Sequence, residues 1–158
     1  MRTVSHMLVA LLGVFIAAFN PAYADTTHDA HSAHDAATLS LDHGKPWPTD
    51  EPLRRGMDNL RAAFAENLEA IHANELSDAG FKALGEKTAQ EVATIVAQCK
   101  LKPDADAMLH VVVGELLAGA DIMMGKVEGA PRAGAHKAVM ALDNYGRYFD
   151  HPGWVGLE

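Results

Sequence analysis

Four runs of apolar residues, each advancing in steps of three and four, constrain this chain more than any other feature. The first passes through Leu53, Met57, Leu60, Phe64, Leu68 and Ile71, and the second through Phe81, Leu84, Thr88, Val92, Ile95 and Cys99. The third follows Leu109, Val112, Leu116, Ala120 and Met123, and the fourth Ala135, Ala138, Leu142, Tyr145 and Phe149. Residues spaced this way lie along one side of an α-helix, whereas a half-buried strand would alternate. Start signals precede each run: Thr49 as N-cap before Asp50-Glu51-Pro52, Ser77, Lys102-Pro103-Asp104, and Pro131. Helices are therefore predicted over 50–73, 78–100, from Pro103 to a stop near Gly125, and from Pro131 until Pro152-Gly153 ends the fourth. Four helices of similar length, short connections and no strand pattern predict an all-α, antiparallel up-down four-helix bundle. The third is apolar around most of its circumference and is expected to be the most enclosed.

Ahead of the bundle lie two other kinds of sequence. Arg2, the apolar run Met7 to Phe19 and the small-x-small site Ala22-Tyr23-Ala24 form a secretory signal peptide. That run is shorter than the ~20 residues that span a bilayer. Residues 1–24 are expected to be cleaved after Ala24, giving a periplasmic or secreted product without stable membrane insertion. Residues 25–49 form a His-rich leader, too polar to offset its chain entropy, and at least its first half is expected to be flexible. The bundle occupies 50–158. A formal net charge of −8 without clustered Lys or Arg argues against nucleic acid or anionic lipid as partner. G-x-S-x-G, a glycine-rich phosphate loop and H-E-x-x-H are all absent, so the chain does not read as an enzyme.

Cys99 is the only cysteine in a chain marked for an oxidising compartment. In an up-down bundle the starts of the first and third helices share an end with the finishes of the second and fourth. Met57, Cys99, His110 and His151 are thereby brought toward one end. Met57 and His110 each lie roughly 10 Å inside their helix starts, at ~1.5 Å rise per residue. Thioether, thiolate and imidazole together suit Cu(I), or a His-Cys-Met copper site. The expected protein is a metal binder, for copper, with Met57, Cys99 and His110 as ligands and His151 as the fourth. In the leader, His28, His31 and His34 are spaced to collect Cu(II), Ni(II) or Zn(II) from solution.

Plain packing stands beside each of these assignments. Met57 suits core filling and Cys99 suits a small buried hydrophobe. His110, expected inside an apolar run, would be satisfied by a backbone carbonyl or by Tyr145. Glu69 and His72 have the E-x-x-H spacing of a di-iron carboxylate site, but a second copy is missing. His72, Met123, Met124 and His136 are expected near one another at the opposite end. An assembly module, with the apolar third helix pairing two copies into a homodimer, is the nonmetal alternative.

Two resemblances add to this reading. The stretches GKPWPTDEPLRRGM, CKLKPDADAMLH and YFDHPGW resemble a family of small exported proteobacterial helical proteins without an established function. That resemblance runs over most of the chain after about residue 39 and implies export and a helical body, with no activity or ligands attached. Separately, LRRGMDNL at 53–60 resembles the first helix of periplasmic four-helix b-type cytochromes. This implies haem b, with Met57 as one axial ligand and His151 as the other. No C-x-x-C-H is present, which excludes covalent c-type attachment.

Overall fold

A computed structural model describes residues 38–157 of the chain. The expected signal segment, residues 1–24, and the first part of the expected leader, including His28, His31 and His34, lie outside the described residues. Four helices follow one another, α1 (Glu51–Ala73), α2 (Asp78–Gln98), α3 (Pro103–Met123) and α4 (Pro131–Tyr148). Short connections turn the chain back after each helix, consecutive helices pack side by side, and α1 closes against α4. The protein is an all-α four-helix bundle.

All four stripes face the core. Leu53, Met57, Leu60, Phe64, Leu116, Ala120, Leu142 and Tyr145 are completely enclosed. Thr88 is the one buried polar residue among those described, and its hydroxyl donates to the Leu84 carbonyl at 2.8 Å. The packing is closest between α3 and α4, where Gly119 and Gly134 face each other. A Cβ added at either would come within 2.6 Å of the other's carbonyl oxygen. Glycine here lets two helix backbones touch.

The helix ends depart from the sequence expectations in three places. Asp50, not Thr49, caps α1: its Oδ1 accepts from the Leu53 amide at 3.0 Å. Thr49 instead donates to the Asp150 carbonyl at 2.6 Å. At the other end of the bundle Ser77 caps α2 as expected, accepting from the Gly80 amide at 3.1 Å. The second departure is that α2 stops at Gln98, with Cys99 extended (φ −69°, ψ 150°) as its C-cap. Third, α4 ends at Tyr148 before reaching Pro152, because Phe149 turns extended while keeping its ring buried.

That turn creates a feature absent from the sequence pattern. A two-residue strand β1 (Trp47–Pro48) pairs in parallel with β2 (Phe149–Asp150). The second half of the leader is accordingly fastened to the bundle. Asp42 and Lys45 exchange backbone hydrogen bonds of 2.9 Å, the Trp47 indole donates to the Ser40 carbonyl at 2.6 Å, and Leu39 and Trp47 pack on the core. The polar composition of residues 38–49 concealed these few anchoring residues.

The third helix is also less enclosed than its composition implied. Ala105, Leu109, Val112, Val113, Leu116, Gly119, Ala120 and Met123 are buried, but Ala107, Gly114, Leu117 and Ala118 face outward. Small side chains on the outer face raise its hydrophobicity without requiring burial. Among the described residues no helix is long and apolar enough to cross a membrane.

Candidate metal centre

The turn from α2 to α3 positions Cys99 and His110. Cys99 keeps its amide bonded to the Ile95 carbonyl at 2.8 Å while its backbone leaves the helix, so its side chain is half-buried beside the core. Asp50 Oδ2 accepts from the next amide, Lys100, at 2.6 Å and pins the turn to the start of α1. His110 follows the buried Leu109 by one position, a rotation of about 100° around the helix. Its side chain is 63% exposed, which corrects the expectation of a buried imidazole. Of the apolar residues around it, Leu109, Val112 and Val113 belong to the core face, and His110 lies outside that face.

Cys99 and His110 nevertheless line one small cavity. It has a volume of about 170 Å³ and is completed by Val96, Asp106, Leu109 and Val113. His110 Nδ1 lies 2.8 Å from the Asp106 carbonyl oxygen and 3.4 Å from its carboxylate Oδ2. A carbonyl can only accept, so Nδ1 carries the hydrogen, and in the neutral ring Nε2 keeps its lone pair. This is the arrangement in which histidine binds metals, one nitrogen donating to an oxygen and the other free. The same carbonyl is one of the partners a purely structural histidine was expected to find.

Burial, followed by the negative charges of Asp50 and Asp106, pushes the Cys99 thiol above its ordinary range. The thiol therefore stays protonated near neutral pH, unlike an activated catalytic cysteine. A cation would enter by displacing that proton, and the two carboxylates that disfavour thiolate favour a positive ion.

Met57 and His151 are placed elsewhere. Met57 is wholly enclosed in the core. His151 is expected at an open mouth, yet its side chain is only 5% exposed, because the tail after α4 folds back over it. Asp58 Oδ1, 3.5 Å from His151 Nε2, can only accept, so in the neutral ring Nε2 carries the hydrogen. The Tyr145 hydroxyl, which burial keeps neutral, then donates to Nδ1 at 3.0 Å. Trp154 packs on both rings, with centroids 4.9 Å from Tyr145 and 5.1 Å from His151. Both nitrogens of His151 are thus engaged, and Met57 presents no surface to solvent. Of the four expected ligands, Cys99 and His110 line one cavity, His151 sits with Tyr145, Asp58 and Trp154, and Met57 is a core residue. Among the described residues, no three His, Cys, Asp or Glu side chains are grouped to hold a metal ion.

At the opposite end, His72 and His136 stack with ring centroids 5.5 Å apart and planes within 9°, and Arg132 donates to the His72 carbonyl at 2.9 Å. Met123 is buried in the core there, and Glu69 and His72 are exposed, outside any inward-facing carboxylate site. Sequence reasoning missed Asp106 and Asp58 as partners of histidines. For Asp106 the signal was present, an acid four residues before His110 on one helix. Asp58 and His151 lie far apart in sequence, and only the folded tail joins them.

The chain matches no family model, no curated protein and no solved structure.

Proposed function

We propose that this is an exported metal-binding protein that takes up Cu(I) through the Cys99 thiolate and His110 Nε2, in the periplasm as the signal segment implies. One observation carries the reading: Cys99 and His110 line the same cavity, and the hydrogen of His110 is committed to Asp106, leaving Nε2 to donate. Thiolate is a soft donor that selects Cu(I), and Cu(I) accepts few ligands, so two suffice to retain it. Apolar walls from Val96, Leu109 and Val113 suit a singly charged ion better than a hydrated divalent one. Met57 and His151 take no part in this form of the site. His28, His31 and His34 serve separately as collectors of metal from solution.

The experiment is an oxygen-free Cu(I) titration of the exported form against a chromophoric chelator, repeated with Cys99→Ser and His110→Ala. One equivalent bound tightly, and weakened strongly by both changes, is the expected result. Equal binding by all three proteins would remove the cavity from consideration.

A helical assembly module is the second reading, favoured by the outward face of α3, where Gly114, Leu117 and Ala118 are exposed. Sedimentation with and without Cu(I) separates the two. The haem b reading is the less economical one, since Met57 would have to leave the core and His151 its bond to Tyr145.

A further inference from the structure

Asp106 lines the cavity with Cys99 and His110 and meets the histidine twice. The two contacts differ in kind. The carbonyl, 2.8 Å from Nδ1, is one that any residue at this position would present, so it holds the ring hydrogen whatever the side chain. The carboxylate, 3.4 Å from the same nitrogen, belongs to aspartate alone. Negative charge beside one N–H of an imidazole makes the opposite nitrogen a stronger donor. Spacing of four residues along α3 holds the pair together by helix geometry alone, with the acid on the N-terminal side. The side chain is 44% exposed, so replacing it does not open the core.

We infer that Asp106 is a positioning residue for the metal: its carboxylate acts through the Nδ1 hydrogen of His110 to strengthen Nε2 as a ligand, without touching the ion itself. This rests on the Cu(I) reading above and adds a residue that the donor set alone does not name. No redox step is involved. Cu(I) enters, the Cys99 proton leaves to solvent, and the His110 hydrogen stays on Nδ1 throughout.

The test uses the exported protein and Cu(I) alone, buffered by the same chelator without oxygen. Asp106→Asn keeps the shape and the backbone carbonyl while removing the charge. It is expected to weaken binding by roughly 10-fold or more, as loss of such partners does in other metal sites. Asp106→Glu should recover part of that loss. In a His110→Ala background the Asp106→Asn change should have a clearly smaller effect, limited to the carboxylate's direct action on the Cys99 thiol and the ion, because its main action runs through the imidazole. Nitrogen NMR of the metal-free protein should show hydrogen on Nδ1 of His110 in both wild type and Asp106→Asn.

Unchanged affinity in Asp106→Asn overturns the inference while leaving the metal reading intact. A loss that persists undiminished without His110 also overturns it, by showing a bulk charge effect. Absence of Cu(I) binding in the wild type removes both the metal reading and this inference. An Nε2–H tautomer in the metal-free wild type removes the positioning role on its own.

Discussion

Asp50 and Lys100 are joined by a 2.6 Å hydrogen bond from the Lys100 amide to Oδ2, while the other carboxylate oxygen caps α1 through the Leu53 amide. One side chain therefore holds a helix start and the turn that follows Cys99. Asp50→Ala is expected to cost about 2 kcal/mol, combining a lost cap with a lost charge-assisted hydrogen bond. Asp50→Asn should cost less, since its amide oxygen can still cap. Urea unfolding midpoints of the two variants check the order.

The α3–α4 contact makes a sharper prediction, because two glycines on one helix should respond with opposite sign. Gly119→Ala would drive a methyl group to 2.6 Å from the Gly134 carbonyl, separating the helices at a cost of about 1–3 kcal/mol. At Gly114, inside the same helix, an added methyl group would meet nothing within 4 Å. Gly114→Ala should stabilise by about 0.5–1 kcal/mol, the ordinary gain from removing a glycine in a helix. Thermal midpoints moving in the same direction would contradict this account of the interface.

His151 supplies a pH dependence. Burial lowers its proton affinity below the ordinary value of 6.5, with Asp58 opposing that effect. The unfolded chain thus takes up the proton first, and stability from this residue is full above the ordinary value and is lost as pH falls through it and below. Urea midpoints should decline between about pH 7.5 and pH 5, and the decline should flatten in His151→Gln. Tyr145→Phe leaves Nδ1 without its donor and should cost about 1 kcal/mol above that range.

Cys99 should react slowly. With its thiol held protonated by burial and by Asp50 and Asp106, iodoacetamide at about pH 8 should label the folded protein several-fold more slowly than the unfolded chain. One equivalent of Cu(I) should then suppress labelling of the folded form almost completely. Labelling that is as fast in the folded state as in urea would contradict the protonated thiol, and labelling unaffected by Cu(I) would contradict the thiolate ligand.

The helical stripes were legible because each depends on periodicity within one segment. Of the stripe residues, all are buried except Leu68 and Cys99, which are partly covered. Start signals for α2, α3 and α4 were equally local, and they fell at Ser77, Pro103 and Pro131 as the residues implied. His110 was misplaced because a run of apolar letters does not say which letter points inward. Around a helix, the neighbour of a core residue can lie outside the core face.

What only the tertiary structure decided is how the ends are tied. Thr49 and Asp50 are both good N-caps by type, and the choice between them turned on Asp150 and Lys100, residues contributed by distant parts of the chain. The same holds for the site. Met57 and His151 reach the right end of the bundle by topology, but Tyr145, Trp154 and Asp58 engage His151, and core packing encloses Met57. Cys99 and His110 line one cavity because a short turn joins their helices. Sequence by itself determined the four apolar stripes and where α2, α3 and α4 begin, since those follow from neighbours along the chain. Which polar groups pair, and which remain free to bind, was decided by contacts between segments, because a hydrogen bond needs its partner within about 3 Å.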